Sequence, residues 1–424
     1  MGSTSTELRH RHPVFRYEKY EFAPQGEDLL INFTFHLSPD IIFTPKVVIH
    51  QAAALTSKLN PALLNNLIFH LGLIEALSYW KAACSPQIDI QAGALSQEQT
   101  DWWQQFIVKG MGEFFYHNQV DFTAPDFIHI ISCTEGHFQT QEASVKPDQF
   151  LTLVGGGKDS AVTLEVIKTN QQALLLNPTP ASLGISSIAG ITSPITVDRS
   201  IDPQLLHLNE KGYLNGHTPF SAYLAFLSVL VATLFNYSHI VVANERSSDE
   251  ENITYLGQKI NHQYSKTLEF ETSFRNYARQ FITPSVNYFS LLRPLWEIQI
   301  CQIFAQYPQY FSVFKSCNVN QKQNSWCGHC AKCLSTFILL YPFMPQTVIS
   351  IFGGNLIKDP QLSDLTSHLT GQKLPKPFEC IGTIPEIKAA LYSPADVKVL
   401  LKDWGHDDFL PPPLKLKLKS LVHV

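Results

Sequence analysis

The chain has 424 residues, of which 45% are hydrophobic and 16% are charged, and its formal net charge at pH 7 is −5. This length and apolar content allow two or three domains with a large core, and the acidic balance argues against a broad nucleic-acid-binding surface. Residues 1–13 lack the apolar stretch of a secretory signal. The longest apolar run, 220–235, is short for a membrane span. We therefore expect a cytoplasmic protein without membrane insertion.

The N-terminal third of the chain carries the patterns of both strands and helices. Residues 14–50 alternate apolar and polar side chains, which predicts antiparallel strands. Two helices and a further strand are expected after them, near 62–83, 97–118 and 127–131. The polar stretch 134–148, which contains a proline, predicts a boundary. These patterns together predict an α+β N-terminal domain over residues 1–149.

From residue 150 the pattern changes to short apolar strands separated by helices. The strands are predicted at 151–154, 173–176 and 240–243, and the helices at 160–169 and 220–235. This alternation is typical of an open α/β sheet whose parallel strands are buried on both faces. Ligands of such sheets gather at the carboxyl ends of the strands. We expect this domain to extend over residues 150–345.

The remaining residues, 346–424, predict a smaller helical or mixed C-terminal extension. Near its end, residues 411–419 read PPPLKLKLK, so that leucine and lysine alternate after three prolines. Alternation of this kind predicts a solvated edge strand or a loose tail.

A glycine-rich loop is the most informative motif of the chain. Residues 151–160 read LTLVGGGKDS, which places an apolar strand directly before three glycines and the start of a helix. Glycines allow backbone N–H groups to close around an anion, and the helix N-terminus adds its dipole. The loop is not a Walker A motif, because Asp159 follows Lys158 where a Ser or Thr must bind magnesium, and Ser160 excludes the dinucleotide fingerprint. It resembles the pyrophosphate loop Ser-Gly-Gly-x-Asp-Ser of N-type ATP pyrophosphatases, with Gly155 in place of the first serine.

Four cysteines have the spacing of a metal site. Cys327, Cys330 and Cys333 are each separated by two residues, and Cys317 lies ten positions upstream. Four thiolates close a tetrahedron and leave no open position for water, so we expect a structural zinc ion. Spacing alone does not distinguish zinc from an iron–sulfur cluster. His329 is an alternative to Cys317 as the fourth ligand.

Two polar segments follow the predicted strand at 240–243. In the first, Arg246 is suited to neutralise a phosphate or carboxylate, and Glu245 is suited to hold magnesium or a substrate amine. The second segment contains His262, Tyr264 and Lys266. Because it lies just downstream of the first, we expect these side chains to contribute to the same site.

Seven segments in combination resemble one family, the bacterial UDP-N-acetylmuramoyl-L-alanyl-L-glutamate epimerases. They are residues 154–160, 244–247, 261–266, 288–294, 316–318, 326–333 and 376–380. The resemblance covers roughly residues 60–385. It implies an adenine nucleotide alpha hydrolase-like (ATP-pyrophosphatase) fold for the central domain, and a role in peptidoglycan precursor synthesis. The implied reaction uses ATP and Mg²⁺ to invert the terminal L-glutamate of a UDP-N-acetylmuramoyl dipeptide.

The resemblance also implies roles for individual residues. The loop would hold the triphosphate through Gly155, Gly156, Gly157, Lys158, Asp159 and Ser160. Asp159 would reach magnesium, while Arg246 and Lys266 would bind phosphate or carboxylate charge. Glu245, His262 and Tyr264 are the acid–base candidates, in no fixed order.

Three other functions are compatible with parts of the pattern. A 7-cyano-7-deazaguanine synthase has a similar loop and similar cysteine spacing, but its loop lies at the start of the chain. A tRNA-modifying relative would need a basic RNA surface, which the net charge disfavours. A nucleotide-sensing scaffold stabilised by zinc is the non-enzymatic alternative. The sequence indicates neither the oligomeric state nor the residues that bind the UDP-sugar.

Overall fold

The structure is a computed structural model, and it describes residues 4–133 and 136–422. The described strands are β1 Val14–Gln25, β2 Asp28–Leu37, β3 Ile41–Phe43, β4 Lys46–Ile49, β5 Gln87–Ala94, β6 His129–Cys133, β7 Lys146–Leu153, β8 Gln171–Leu176, β9 Ile195–Ser200, β10 Tyr237–Val242, β11 Ile253–Tyr255, β12 Gln258–Ile260 and β13 Asn287–Ser290. The described helices are α1 Ser5–Arg11, α2 Ala53–Thr56, α3 Pro61–Trp80, α4 Gln97–Gly110, α5 Gly112–His117, α6 Lys158–Ile167, α7 Pro180–Ile188, α8 Pro203–Glu210, α9 Phe220–Leu234, α10 Leu268–Phe281, α11 Glu297–Phe304, α12 Ala331–Leu340, α13 Pro345–Phe352, α14 Ser363–Leu369, α15 Ile384–Tyr392, α16 Pro394–Leu400 and α17 Pro412–Val422.

One mixed sheet runs through both predicted N-terminal and central regions. Its strand order is β13-β10-β7-β8-β9-β4-β2-β1-β5-β6, with β3 paired to β2. The five strands from β13 to β9 are parallel, whereas β9, β4, β2 and β1 are joined by antiparallel pairs. The antiparallel pairing predicted for residues 14–50 is therefore confirmed. The pair β4–β9 joins the two regions through main-chain hydrogen bonds.

The parallel strands are buried on both faces, as predicted from their apolar runs. Neighbouring residues point into two different cores, as Leu174 and Leu175 of β8 do. Helices α3, α9 and α10 contribute to one core, and α6, α11, α12 and the C-terminal helices contribute to the other. The strands and helices predicted between residues 151 and 243 are confirmed with shifted ends. The predicted boundary loop 134–148 overlaps β7, and residues 134 and 135 lie outside the described residues.

The strand order reverses beside β7, and this reversal locates the candidate site. From β7 the chain passes through α6 to β8 and then through α7 to β9, always in one direction across the sheet. Strand β10 instead lies on the other side of β7. In open α/β sheets a crevice forms outside the carboxyl ends of the strands at such a switch point. The loops after β7 and β10 meet there.

The prediction of an edge strand or loose tail at 411–419 is wrong. These residues form most of α17, whose Leu414 and Leu418 are buried four positions apart, while Leu416 between them is 70% exposed. A spacing of four places side chains on one helical face, which packs against α6. The sequence alternates apolar and polar residues, which is the pattern of a strand. The segment is helical because packing against α6 buries two of the leucines and leaves the third exposed.

Helix α3 is a buried core helix that carries a charge. Its 20 residues are long and apolar enough to cross a membrane, but 89% of the apolar window is buried in the fold. Glu75 on this helix is fully buried and accepts two hydrogen bonds from Arg199 of β9, at 2.7 and 3.0 Å. The Arg199 guanidinium also lies 4.4 Å from the ring centre of Tyr223 on α9. This ion pair fixes α3 and α9 to the sheet next to the β4–β9 junction.

We expect Glu75→Ala to lower the free energy of unfolding by about 3–5 kcal/mol, because it leaves a buried guanidinium without its partner. Chemical denaturation followed by circular dichroism measures this change. The matched control is Glu21→Ala, which removes an exposed pair with Lys19 and should change stability by less than about 1 kcal/mol. Equal effects of the two substitutions would contradict the structural role of the buried pair.

Candidate functional site

The glycine loop lies between the end of β7 and the start of α6. Gly156 has a φ of +95°, and a Cβ there would lie 2.9 Å from the Cβ of Ala181, so this position requires glycine. At Gly155 a Cβ would meet nothing within 4 Å, which shows open space above the loop. The Gly155 N–H donates to Ser160 Oγ at 3.1 Å and closes the turn.

The N-terminus of α6 is free to bind an anion. Among the described residues, no side chain caps it, and Gly157 occupies the N-cap position. Other helices of this protein, such as α7 and α15, begin with a complete capping box. Uncapped first-turn N–H groups at the end of a parallel strand suit a phosphate. The loop geometry therefore fits the triphosphate predicted from the sequence.

Lys158 points beneath the loop and not out of it. Its amino group is buried between Asp159 Oδ1 at 2.7 Å and Glu297 Oε1 at 2.8 Å. Burial disfavours the charged amine, but the two carboxylates outweigh burial and raise the pKa of Lys158. Lys158 thus holds Asp159 in place, which differs from the direct phosphate contact expected from the sequence.

Buried carboxylates surround this lysine. Glu245, just after β10, is buried, and burial raises its pKa to about 7, with Asp159 and Glu297 adding to the shift and Lys266 opposing it. The Glu297 Oε2 atom is buried with no hydrogen-bond partner in the described part of the chain. Oxygen donors of this kind are the ligands that Mg²⁺ prefers. The donor chemistry of Asp159, Glu245 and Glu297 suits a magnesium ion.

Lys266 connects these carboxylates to a cysteine. Its Nζ lies 3.0 Å from Cys380 Sγ. Burial opposes the charge of Lys266, but Cys380, Glu245 and Asp159 raise its pKa. A second lysine, Lys332, donates to the carbonyl oxygen of Cys380 and lies 3.9 Å from Glu297 Oε1.

Two histidines and a glutamate lie on the other side of Cys380. His262 Nδ1 hydrogen-bonds Glu113 Oε2, and its ring is in hydrogen-bonding range of the Cys380 thiol. The His217 ring centre lies 4.4 Å from that of His262. Burial lowers the pKa of His262, but Cys380 and Glu113 outweigh burial and raise it to about 9. Burial and the neighbouring His262 charge lower the pKa of His217 to about 4, so the two rings differ in protonation at neutral pH.

The other two predicted site residues lie at the margins of this cluster. Arg246 is partly exposed, stacks on Trp296 at 4.1 Å and donates to Asp403 Oδ2 at 2.8 Å. The Tyr264 hydroxyl donates to Glu269 at 3.4 Å, among side chains of α4 and α10. The structure therefore brings together Asp159, Glu245, His262 and Lys266, but not Tyr264.

Five residues of the cluster lie outside the site predicted from the sequence: Cys380, Glu113, His217, Glu297 and Lys332. Cys380 lies in a segment that resembles the epimerase family, so a signal for it was present. Glu113 and His217 offered a weaker signal, because α5 reads as a core helix and His217 stands alone in a loop. Only the folded chain shows that both contact His262.

The four cysteines converge as predicted. Their sulfur atoms all lie within 4.8 Å of one another, with Cys317 and Cys330 at 4.0 Å and Cys327 and Cys333 at 3.7 Å. The Cys330 sulfur also accepts the backbone N–H of Cys333 at 3.4 Å, at the start of α12. Four soft donors that are mostly buried fit a tetrahedral structural metal. His329 is exposed and bonds the Cys327 carbonyl oxygen, so it lies outside the sulfur cluster.

Two family models together match most of the chain. The MurL N-terminal domain model matches residues 6–291 and the MurL C-terminal domain model matches residues 313–409. Residues 292–312 lie between the two matched segments. The domain boundaries predicted at 149 and 345 stay predictions.

Three relatives, each named UDP-N-acetyl-alpha-D-muramoyl-L-alanyl-L-glutamate epimerase, are similar to most of the chain. The protein from Micromonospora sp. is 32% identical over 82% of this chain and 79% of its own length. The protein from Xanthomonas oryzae pv. oryzae is 29% identical over 90% and 86%, and that from Salinispora tropica is 31% identical over 91% and 85%. No solved structure matches the chain significantly.

We expect the purified protein to contain about one zinc per chain, and Cys330→Ser to lose most of it. Loss of the metal should also lower the melting temperature by roughly 10 °C, since the site joins α12 to the loop that carries Cys317. Elemental analysis and thermal unfolding measure both effects. The matched control is His329→Ala, which should retain the metal. Iron with visible absorbance in place of zinc would identify a cluster, and full stability of metal-free Cys330→Ser would contradict a structural site.

Proposed function

The chain belongs to the MurL epimerase family, and we propose that it inverts the terminal L-glutamate of UDP-N-acetylmuramoyl-L-alanyl-L-glutamate to D-glutamate, using ATP and Mg²⁺. The protein is an epimerase. The observation that carries the ATP-dependent proposal is the open, uncapped glycine loop beside buried carboxylates at the switch point of the sheet. The reaction belongs to peptidoglycan precursor synthesis, and we propose a cytoplasmic location for it.

The chemistry of the substrate explains why an epimerase would need a nucleotide. A glutamate Cα–H is a poor acid while the neighbouring carboxylate is anionic. Transfer of AMP to that carboxylate, with release of pyrophosphate, would remove the charge and make the acyl carbon an electron sink. A base could then take the proton, and reprotonation on the opposite face followed by hydrolysis would release the D-product and AMP.

The residues of the site suit the binding steps of this scheme. The N–H groups of the glycine loop and of the first turn of α6 would bind the triphosphate. Asp159, Glu245 and Glu297 would hold Mg²⁺, with Lys158 fixing the first and third of these side chains. Lys266 and the partly exposed guanidinium of Arg246 would bind phosphate or carboxylate charge.

The acid–base groups lie close to these binding groups. Lys266 contacts Cys380, and its charge also influences Glu245 and Asp159. His262 approaches Cys380 from the other side and is held by Glu113. A carboxylate bound near the loop would therefore have its Cα within the reach of protonatable side chains. This proximity supports one site for both activation and proton transfer.

The proposal is tested by incubating the protein with ATP, Mg²⁺ and the L-glutamate precursor in heavy water. We expect pyrophosphate and AMP to form together with a D-glutamate product that carries deuterium at Cα. Mass spectrometry and NMR of the product measure this label. Epimerisation without ATP would contradict the activation step. Formation of AMP only with a deazapurine acid or with tRNA would instead support one of the alternative functions.

We expect Asp159→Asn to reduce pyrophosphate release by roughly 100-fold or more, because it removes a charged oxygen from the magnesium site. A coupled pyrophosphate assay measures the rate. The matched control is Asp101→Asn, which makes the same change on an exposed position of α4 and should leave the rate unchanged. Wild-type activity in Asp159→Asn would refute the assignment of the loop.

A further inference from the structure

Cys380 differs from the other cysteines of the described chain. It lies outside the four-cysteine cluster, forms no disulfide and is partly exposed. Cys84 and Cys301 are buried, and burial raises the pKa of Cys84 to about 12 and also raises that of Cys301. Because these two thiols are buried and stay protonated, they are expected to be unreactive. Cys380 instead contacts charged side chains.

The contacts of Cys380 form a hydrogen-bonded chain. On one side, the Lys266 amine lies 3.0 Å from the sulfur. On the other side, His262 lies in range of the sulfur and is oriented by Glu113 through its Nδ1 atom. A thiol beside a base that a third group orients is the arrangement that activates a cysteine. In this protein, Lys266 is a further partner of the thiol.

The surrounding charges favour a thiolate. Burial raises the pKa of Cys380, but Lys266, His262 and Lys332 outweigh burial and lower it to about 5. The nearby acids are already engaged, since Glu113 bonds His262 and Glu379 accepts from Asn318 at 3.1 Å. Cys380 is therefore an anion at neutral pH, held by cations on two sides.

The position of Cys380 relative to the glycine loop indicates which part of a bound substrate its sulfur would reach. Lys332 binds the Cys380 carbonyl oxygen and approaches Glu297, which in turn bonds Lys158 at the start of α6. Lys266 contacts Cys380, and its charge also interacts with Glu245. Each of these two lysines thus interacts both with Cys380 and with a carboxylate of the proposed nucleotide site. A substrate whose carboxyl group reaches those lysines would place its Cα beside the sulfur.

We propose that Cys380 is a proton-transfer residue of the epimerisation, with His262, Glu113 and Lys266 as positioning residues. The inference rests on the proposed function. The thiolate takes the proton from Cα, and the electron pair of the C–H bond moves into the activated carbonyl to give an enolate. A solvent water on the opposite face gives a proton to Cα, which inverts the centre and leaves hydroxide. The neutral thiol gives its proton to that hydroxide through solvent, which restores the thiolate while His262 keeps its charge.

The decisive experiment compares pyrophosphate release with deuterium incorporation at Cα in Cys380→Ser and Cys380→Ala. We expect both variants to release pyrophosphate within about threefold of the wild-type rate, because the loop and its carboxylates are intact. Incorporation of deuterium should fall by about 100-fold or more, in line with the loss of a general base. Circular dichroism and thermal unfolding confirm that the variants are folded.

Each other outcome has a distinct meaning. Normal deuterium incorporation in Cys380→Ala overturns the inference. So does equal loss of both activities, which indicates a structural role, and so does a substrate mass adduct on Cys380 in acid-quenched wild type, which indicates a covalent nucleophile. If the wild type releases no pyrophosphate with the precursor, the proposed function itself fails and this inference fails with it.

Alkylation provides a readout that does not depend on turnover. At pH 6, iodoacetamide should modify Cys380 in the wild type and spare Cys84 and Cys301, because of these three thiols only Cys380 is both accessible and ionised. Lys266→Met should slow this modification by about tenfold. The matched control is Lys259→Met, which removes an exposed amine and should leave the rate unchanged. An unreactive Cys380, or equal rates in the two lysine variants, would contradict the charge environment inferred here.

Discussion

Burial of opposite charges beside the glycine loop is the constraint on which the site depends. Lys158 and Lys332 are buried, Lys266 is half-buried, and each lies beside a carboxylate or a thiol. A buried charge without a partner is costly, so none of these side chains can be removed without exposing another to that cost. The network therefore fixes Asp159 and Glu297 in position before any ligand binds. Preorganised charge of this kind does not have to reorient when charge develops in a bound substrate.

Two distant parts of the chain complete the network, and each is held by its own contacts. The segment that ends in Cys380 is anchored by Lys376, which bonds Glu250, and by the carbonyl oxygen of Pro377, which accepts from Asn252 at 2.9 Å. Lys332 lies between two cysteines of the sulfur cluster. A metal in that cluster would fix the first turn of α12 and thereby the amine that reaches Glu297 and Cys380. The cluster is thus structural in its chemistry, yet it determines the position of a residue in the site.

The features of the fold and of the site that could be predicted are those whose sequence pattern lies within one short segment. The loop at Gly155–Ser160 and the four cysteines were predictable, because their chemistry requires particular residues at fixed spacing. Buried parallel strands were predictable from their apolar runs. The helix α17 was not, since alternate leucines fit a strand as well as one buried helical face. Glu113 and His217 were not either, because a charged or aromatic side chain becomes functional only through partners that are distant in sequence.

The continuous sheet connects the N-terminal region to the proposed site. Glu113 lies on α5, far from the glycine loop in sequence, yet it orients His262. Strand pairing between β4 and β9 and the buried Glu75–Arg199 pair fix the N-terminal helices to the parallel half. If α5 moved relative to the sheet, His262 would lose the carboxylate that favours its charged form, and Cys380 would lose one of its cations. The half that contains the glycine loop supplies the proposed anion site, while the N-terminal half contributes the carboxylate that favours the charged form of His262.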